Sequence, residues 1–556
     1  MARLRQSLPG WSILIAGALI FQAAPVLFNV GLPVKDFLVH YRWAVEFSDA
    51  LAGGDYYPRW MGRAFFGLGE PALLYYSPIF YFCTGLLRFI TANTWAAMRL
   101  VFLISTVMTG RYGYLILKRY AGEGFALFGA FCLQMTPMIQ MLFNYVSEIP
   151  WAVSFAVLIA LICYATRPGA FEKIVDLPVS ICVALLVCTH ILAAFMLLIC
   201  FSGYFLTHIR LGKGRAAIGR PAISWAASVT FGLLLSSVYL VPALTSMKYI
   251  SSGVWTSDYT PWSAFSFPTI TAIAYGIRWF SFQWVVSGAI LLSVAIATWF
   301  AARRPDRSDG LGSTLFLLLS ASWIALFFAS ELSFPIWIMP TPLRMLQFPH
   351  RFIYIASATG TLANLLILGE QLRLRPADRS SRALAAFPLL LAIALTGALE
   401  VKFILVDAQH LNLSPDDRAP YNGLAEYKPR NVGDAVKSYE KGGYAADCRR
   451  ERLACGPPVA TGDREAFQIV APAREFVRLP VFAFPAWSET VNGTPAAMRT
   501  DSGTGVISLL LPKGRDDISL VWRRLPQEQA GIWLSLLSVA AAIFLASRRG
   551  EALLRF

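Results

Sequence analysis

Ile174-Val-Asp-Leu-Pro-Val-Ser-Ile-Cys-Val-Ala-Leu-Leu-Val-Cys-Thr-His190-Ile-Leu-Ala-Ala-Phe-Met-Leu-Leu-Ile-Cys-Phe-Ser-Gly-Tyr-Phe-Leu-Thr-His208 carries the key to the architecture. As a single helix it would be about 50 Å long at about 1.5 Å per residue, against a hydrocarbon core of about 30 Å. Arg167 and Lys173 precede it, and Arg210, Lys213, Arg215 and Arg220 follow it. Positive charge collects on the cytoplasmic side of membrane proteins. Both ends therefore belong on that side, and the run reads as two short helices turning near Thr189-His190.

Similar apolar runs appear near 10–32, 72–91, 96–117, 122–142, 149–166, 222–241, 284–302, 312–330, 352–369, 383–405 and 530–547. The other basic clusters are Lys118/Arg119, Arg303/Arg304/Arg307, Arg373/Arg375/Arg379/Arg382 and Arg548/Arg549. All face the cytoplasm only if 72–91 does not cross fully. Its Tyr, Phe, Ser and Pro content suits a re-entrant or interfacial segment. The first run follows Arg3 and Arg5 and lacks a small-x-small cleavage site, so it reads as an uncleaved helix with its N-terminus inside.

Composition agrees. The chain has 556 residues, of which 56% are hydrophobic and 15% charged, with mean hydropathy +0.55. The expected fold class is mainly α: a polytopic helical membrane protein of about 12–13 transmembrane helices with a C-terminal β-rich periplasmic domain. Residues 1–406 would form the transmembrane part, with a first outer loop at 33–71. Residues 407–525 would form the outer domain, and 526–556 the last helix and a cytoplasmic tail. Within 407–525, Phe476–Phe484, Gly505–Leu511 and Asp517–Trp522 alternate with period two between turn residues, which predicts strands. If this region lies outside, Cys448 and Cys455 can pair as a disulfide. The other six of the eight cysteines lie in apolar runs and act as small hydrophobes.

The net charge of +15 has a topological origin in the short basic loops and does not point to nucleic acid. The chain contains no P-loop, HExxH or G-x-S-x-G sequence. That argues against ATP-driven transport and against a soluble nucleotide-sugar enzyme.

The informative polar residues sit at the expected outer boundary. Asp36 follows the first apolar run, with His40 one helical turn on. Asp36 is either a solvated juxtamembrane acid or a carboxylate acting as general base or substrate holder. Glu148, in Asn144-Tyr-Val-Ser-Glu148-Ile-Pro-Trp151, is either a helix-start acid favoured by the dipole or a second acid of the same site. Gln347-Phe-Pro-His350-Arg351 puts an arginine outside, against the usual bias. It reads as a headgroup anchor or a bidentate holder of a lipid phosphate. Arg59 and Trp60, near Tyr56 and Tyr57, could bind phosphate or sugar or anchor the interface. The same choice holds for the aromatic loop Trp255–Trp262. His190 is either a turn residue or a ligand.

Together Asp36, His40 and Trp43, Tyr57-Pro-Arg-Trp60, Gly67-Leu-Gly-Glu-Pro71, Tyr75-Tyr-Ser-Pro78, Glu148, Thr189-His190, Tyr239-Leu-Val-Pro242 and Leu346-Gln-Phe-Pro-His-Arg351 resemble the GT-C superfamily of polytopic glycosyltransferases. More narrowly, they resemble the bacterial membrane proteins labelled pyruvoyl-tetrahydropterin-synthase-related. The resemblance extends weakly to Phe484-Pro-Ala-Trp487 and Leu511-Pro-Lys-Gly514. It implies a bacterial inner-membrane enzyme with its site facing the periplasm. Such an enzyme transfers a sugar from a polyprenyl-phosphate donor to a hydroxyl of a glycan, lipid or protein acceptor, in the synthesis of cell-surface glycan or glycolipid. Asp36 would be the catalytic base and Glu148 the second acid. Arg351, with His350 and Arg59, would hold the donor phosphate. His40, Trp60, Tyr76, His190 and Gln347 would line the substrate site, among membrane lipids. The family pattern leaves room for divalent Mg or Mn on Asp36 and Glu148. Two departures count against parts of this: Glu148 has no adjacent acid, which weakens a metal site, and His350 stands where an aromatic is commoner. A flippase of lipid-linked saccharide would instead show inverted repeats and mid-membrane acids. A non-catalytic subunit of a polysaccharide assembly complex would tolerate loss of Asp36.

Overall fold

A computed structural model describes residues 2–21, 30–31, 35–146, 148–210, 215–253, 265–267, 281–304, 309–373, 379–407, 409–410, 419–430, 432, 448–449, 453–456, 459–461 and 463–547. The loop Trp255–Trp262 lies outside the described residues. Seven described helices are long and apolar enough to cross a membrane: Thr94–Lys118, Glu123–Phe143, Gln283–Ala302, Gly310–Ala329, Pro349–Arg373, Arg379–Lys402 and Pro526–Ala546. An eighth span arises if Gly219–Leu235 and Ser237–Thr245, bent by 81°, count as one. Shorter apolar helices complete the helical layer, among them Ile79–Thr91, Ile149–Ala165 and Leu177–Thr189.

The long apolar run breaks where its length requires. Leu177–Thr189 ends at His190, and Ile191–Arg210 follows. Asp176 caps the first of these, accepting from Val179 N–H at 3.3 Å and pairing with Arg167 at 2.9 Å. Residues 72–91 are also broken. A short helix, Ala72–Tyr75, precedes the helix Ile79–Thr91. The latter has 13 residues, about 20 Å at about 1.5 Å per residue, short of the hydrocarbon thickness.

Burial separates the spans by role. The Pro349–Arg373 window is 94% buried, whereas Pro526–Ala546 is 17% buried. The first is the axis of the bundle. The second exposes Trp533, Leu537 and Ile543, as expected of a helix whose solvent is lipid.

The C-terminal strands form two antiparallel sheets. Arg464–Ala471 pairs with Gly514–Trp522, which pairs on its other side with Trp487–Val491. Glu475–Phe482 pairs with Val506–Leu511. Arg464–Ala471 alternates exposed and buried without a break, the pattern of a strand with one packed face. Cys448 and Cys455 form a disulfide, with Cα atoms 6.1 Å apart.

The first loop is clamped onto this region. Trp60 packs on Trp487 at 5.3 Å, Trp522 at 5.6 Å and Phe484 at 6.3 Å. Gly69, at φ +82, lies under the Trp60 ring, where a Cβ would come within 2.4 Å. Only glycine fits that approach. Val30–Gly31 also pairs with Gln409–His410, joining the start of the loop to the chain beyond Lys402.

Candidate functional site

The site begins on the helix Lys35–Ala52. Asp36, His40 and Trp43 lie at i, i+4 and i+7 and so share one face. Asp36 is exposed in the first turn. His40 is buried, with Nδ1 2.7 Å from the Tyr81 hydroxyl. Burial lowers its pKa to about 3, so the ring is neutral. Trp43 Nε1–H donates to Glu70 at 2.9 Å.

The broken segment 72–91 delivers Tyr76 to this face. Its ring lies 5.4 Å from His40, 5.5 Å from Trp43 and 6.4 Å from His190. Ser77 plugs the break at His190. Its hydroxyl donates to Val187 O at 3.0 Å and accepts from Ile191 N–H at 3.1 Å. The interruption of one helix thus satisfies the interruption of another. His190 Nδ1 accepts from Ala193 N–H at 3.2 Å, and its ring stacks on Trp151 at 4.7 Å. A neutral ring in that arrangement keeps its proton on Nε2.

Trp151 brings the third side of the site. It stands one turn after Glu148, which precedes the helix Ile149–Ala165. Glu148 Oε1 lies 3.5 Å from Arg351 Nη2. Burial raises the Glu148 pKa, with a further push from the Asp36 charge and opposition from Arg351. The charges of Glu148, Asp36 and Arg351 all act on Tyr76.

Arg351 is buried and held at several points. Nη1 donates to Leu346 O at 2.7 Å and to Gln347 Oε1 at 3.3 Å. The guanidinium lies 4.9 Å from the Phe348 ring centre and 5.2 Å from that of Trp151. Gln347 adopts φ +61, ψ −47, and Phe348 N–H reaches back to Leu346 O at 2.6 Å. This three-residue turn is a strained conformation for a side-chain-bearing residue. It aims the Leu346 carbonyl at Arg351. The His350 ring stacks on Phe348 at 5.5 Å, beside the site.

His40, Tyr76, Glu148, His190, Gln347 and Arg351 therefore come together, with Asp36 one turn before His40 on the same helix face. Arg59 and Trp60 do not. Arg59 is buried against Glu528 at 3.1 Å and donates to Leu73 O at 3.1 Å and Val238 O at 3.2 Å. The Tyr57 ring covers it at 3.5 Å. Its guanidinium is committed to joining the first loop to the last helix, and Trp60 is committed to the strand region.

Other participants are less visible in the sequence. Glu70, within Gly67–Pro71, is fully buried and holds Trp43 and the Leu424 N–H. Tyr427 is buried, with its ring centre 5.7 Å from that of Trp43. Among the described residues, no three His, Cys, Asp or Glu side chains converge as a metal site. Glu148 faces a guanidinium, so the donor set does not fit a divalent cation.

The model of the 6-pyruvoyl-tetrahydropterin synthase related domain, a membrane protein, matches residues 73–410. The chain belongs to this family. The family's matched span contains Tyr76, Glu148, His190, Gln347, His350 and Arg351, whereas Asp36 and His40 precede it. Among solved structures, the chain is similar to the arabinofuranosyltransferase AftD from Mycobacteria, at 14% identity and a TM-score of 0.42. That match covers 71% of this chain and 27% of the other, so the chain spans about a quarter of that protein's length. The sequence matches no curated protein.

Proposed function

We propose that the protein is a membrane glycosyltransferase that moves a sugar from a polyprenyl-phosphate donor to an acceptor hydroxyl, with its site on the periplasmic face of a bacterial inner membrane. The observation that carries the reading is the caged guanidinium of Arg351 beside Glu148, with the charge of Asp36 acting on Glu148. A buried arginine held by Leu346 O, Gln347 and two aromatic rings is preorganised to receive phosphate oxygens.

In this reading the acceptor hydroxyl attacks the anomeric carbon, and a new C–O bond forms. Asp36 takes the hydroxyl proton. The bond from the anomeric carbon to the phosphate oxygen breaks, and the polyprenyl phosphate leaves with the electron pair. Arg351 stabilises the charge that grows on that oxygen. Glu148 balances the guanidinium before the donor arrives and orients the acceptor afterwards. His40, Tyr76 and His190 form the wall against which the sugar rests. No step is routed through a metal.

The test is mass analysis of lipid-linked sugars and surface glycans in a deletion strain, paired with transfer assays in vesicles reconstituted with the purified protein. The reading requires a lost surface sugar, accumulated polyprenyl-phosphate sugar and transfer activity in the vesicles. Unchanged glycans and no transfer from any polyprenyl-phosphate hexose or pentose would refute it.

A further inference from the structure

Tyr239-Leu-Val-Pro242 stands on the short helix Ser237–Thr245, which meets Gly219–Leu235 at 81°. Tyr239 is fully buried and reaches the break in 72–91. Tyr76 is extended there, at φ −94 and ψ 144, between Ala72–Tyr75 and Ile79–Thr91. A helix that ends leaves carbonyls without helical donors. The Tyr239 hydroxyl supplies one, donating to Tyr75 O at 2.8 Å. The same phenol oxygen lies 3.3 Å from the Ser77 hydroxyl. One hydroxyl thus holds the residues on both sides of Tyr76. The Tyr75 hydroxyl in turn donates to Ser246 O at 2.8 Å, at the C-terminal end of the Tyr239 helix. Tyr75 is therefore tied to that helix through its backbone and through its side chain.

The bend that places Tyr239 is closed by the last helix, Pro526–Ala546. Ser535 accepts from Val238 N–H at 2.8 Å and donates to Leu235 O at 2.9 Å. One side chain so replaces both a donor and an acceptor that the helix break removes. Gly531 lets the two helices meet, because a Cβ there would fall 2.4 Å from Ser237 O. Gln527 adds a bond to the Ser246 hydroxyl at 3.2 Å. The last helix lies beyond the family's matched residues 73–410.

Resting on the glycosyltransferase reading above, we propose that Tyr239 is a positioning residue for sugar transfer. Its hydroxyl fixes the backbone on both sides of Tyr76, and hence the ring against which the sugar rests, while Ser535 of the last helix keeps Tyr239 in place. The Tyr76 ring lies 5.4 Å from His40 and 6.4 Å from His190. A shift of this short extended stretch therefore moves the middle of the wall relative to both histidines. A reacting group misplaced by about 1 Å can lose about 10²-fold in rate. Tyr239 and Ser535 act on transfer only through Tyr76.

The experiment uses the full-length protein in nanodiscs. A ring-fluorinated tyrosine at position 76 reports its surroundings by fluorine NMR, and unlabelled protein is assayed for transfer from polyprenyl-phosphate sugar. Tyr239→Phe should shift and broaden the fluorine signal, as should Ser535→Ala, and Ser535→Thr should restore it. In turnover, Tyr239→Phe should lower kcat by about 10-fold to 100-fold while the donor KM stays within about threefold. Added to Tyr76→Ala, the same change should cost less than about twofold, because both act through one ring. An unchanged fluorine signal in Tyr239→Phe overturns the proposal, and so does a kcat loss that adds in full to that of Tyr76→Ala. If the signal moves but wild type transfers nothing, the transferase reading fails and the positioning of Tyr76 stands. If Tyr239→Phe does not fold, Ser535→Ala carries the test by the same readouts, and an unchanged signal there overturns the proposal.

Discussion

Arg351 Nη2 lies 3.5 Å from Glu148 Oε1, although 203 positions separate the two in the chain. This contact joins the helix Ile149–Ala165 to the entry of the most buried span, Pro349–Arg373. In the proposed reading it sets Arg351 between a protein carboxylate and an incoming phosphate. Arg351→Lys keeps the charge but loses the planar fork. Its kcat should fall by about 10²-fold, and Arg351→Ala by about 10³-fold. Vesicle transfer kinetics check this. Wild-type rates in Arg351→Ala would separate the guanidinium from the chemistry.

The strained turn at Gln347 makes a backbone prediction. Glycine adopts φ +61 at no steric cost, whereas a β-branched residue does so poorly. Gln347→Gly should melt at or above the wild-type temperature, despite losing one acceptor to Arg351. Gln347→Val should melt lower, by an amount matching about 1–3 kcal/mol. Thermal unfolding in detergent tells them apart, and equal melting temperatures would mean the turn stores no strain.

Arg59 should matter for stability and little for chemistry. Breaking its buried pair leaves Glu528 as an uncompensated charge, at a cost of about 3–5 kcal/mol. Arg59→Met should therefore lower the melting temperature and the yield of folded protein. Per folded molecule, sugar transfer should stay near wild type. A specific loss of donor affinity at unchanged stability would restore Arg59 to the phosphate site.

Buried acids make stability fall as pH rises. Burial raises the Glu70 pKa from 4.5 to about 8, Glu46 to about 7 and Glu465 to about 8. The folded state holds these protons after the unfolded state has lost them. Their contribution is complete below 4.5 and lost as pH rises through the folded values. His40 works the other way, because its lowered pKa makes stability rise with pH up to 6.5. Above 6.5 the acids act alone. The melting temperature should drop between pH 6.5 and 8, and drop less in Glu70→Gln. A flat profile in wild type would contradict the assignment.

Much of the fold is legible in the sequence because bilayer thickness is a ruler. The run 174–208 has to break, and the break falls at His190. Period-two alternation likewise marks Glu475–Phe482 and Gly514–Trp522 as strands, because one face of each packs inward, whereas Val506–Leu511 is buried on both faces. Glu148 and Arg351, charged residues beside apolar runs, are brought together by the fold. Arg59 and Trp60 carry the same chemical signature but serve contacts with Glu528 and the tryptophans of the strands. Such long-range partners leave no local pattern. The segment Tyr421–Arg430 is invisible in the sequence for a related reason: it has neither helical nor strand periodicity, and only its tertiary anchors lay Tyr427 on Trp43.

The central claim is that Asp36 takes the acceptor proton. The direct measurement is sugar transfer from polyprenyl-phosphate donor in vesicles holding Asp36→Asn, a near-isosteric change at an exposed position. The account predicts kcat reduced by about 10²–10⁴-fold, with the melting temperature and donor binding kept. Turnover at the wild-type rate by folded Asp36→Asn protein would contradict it.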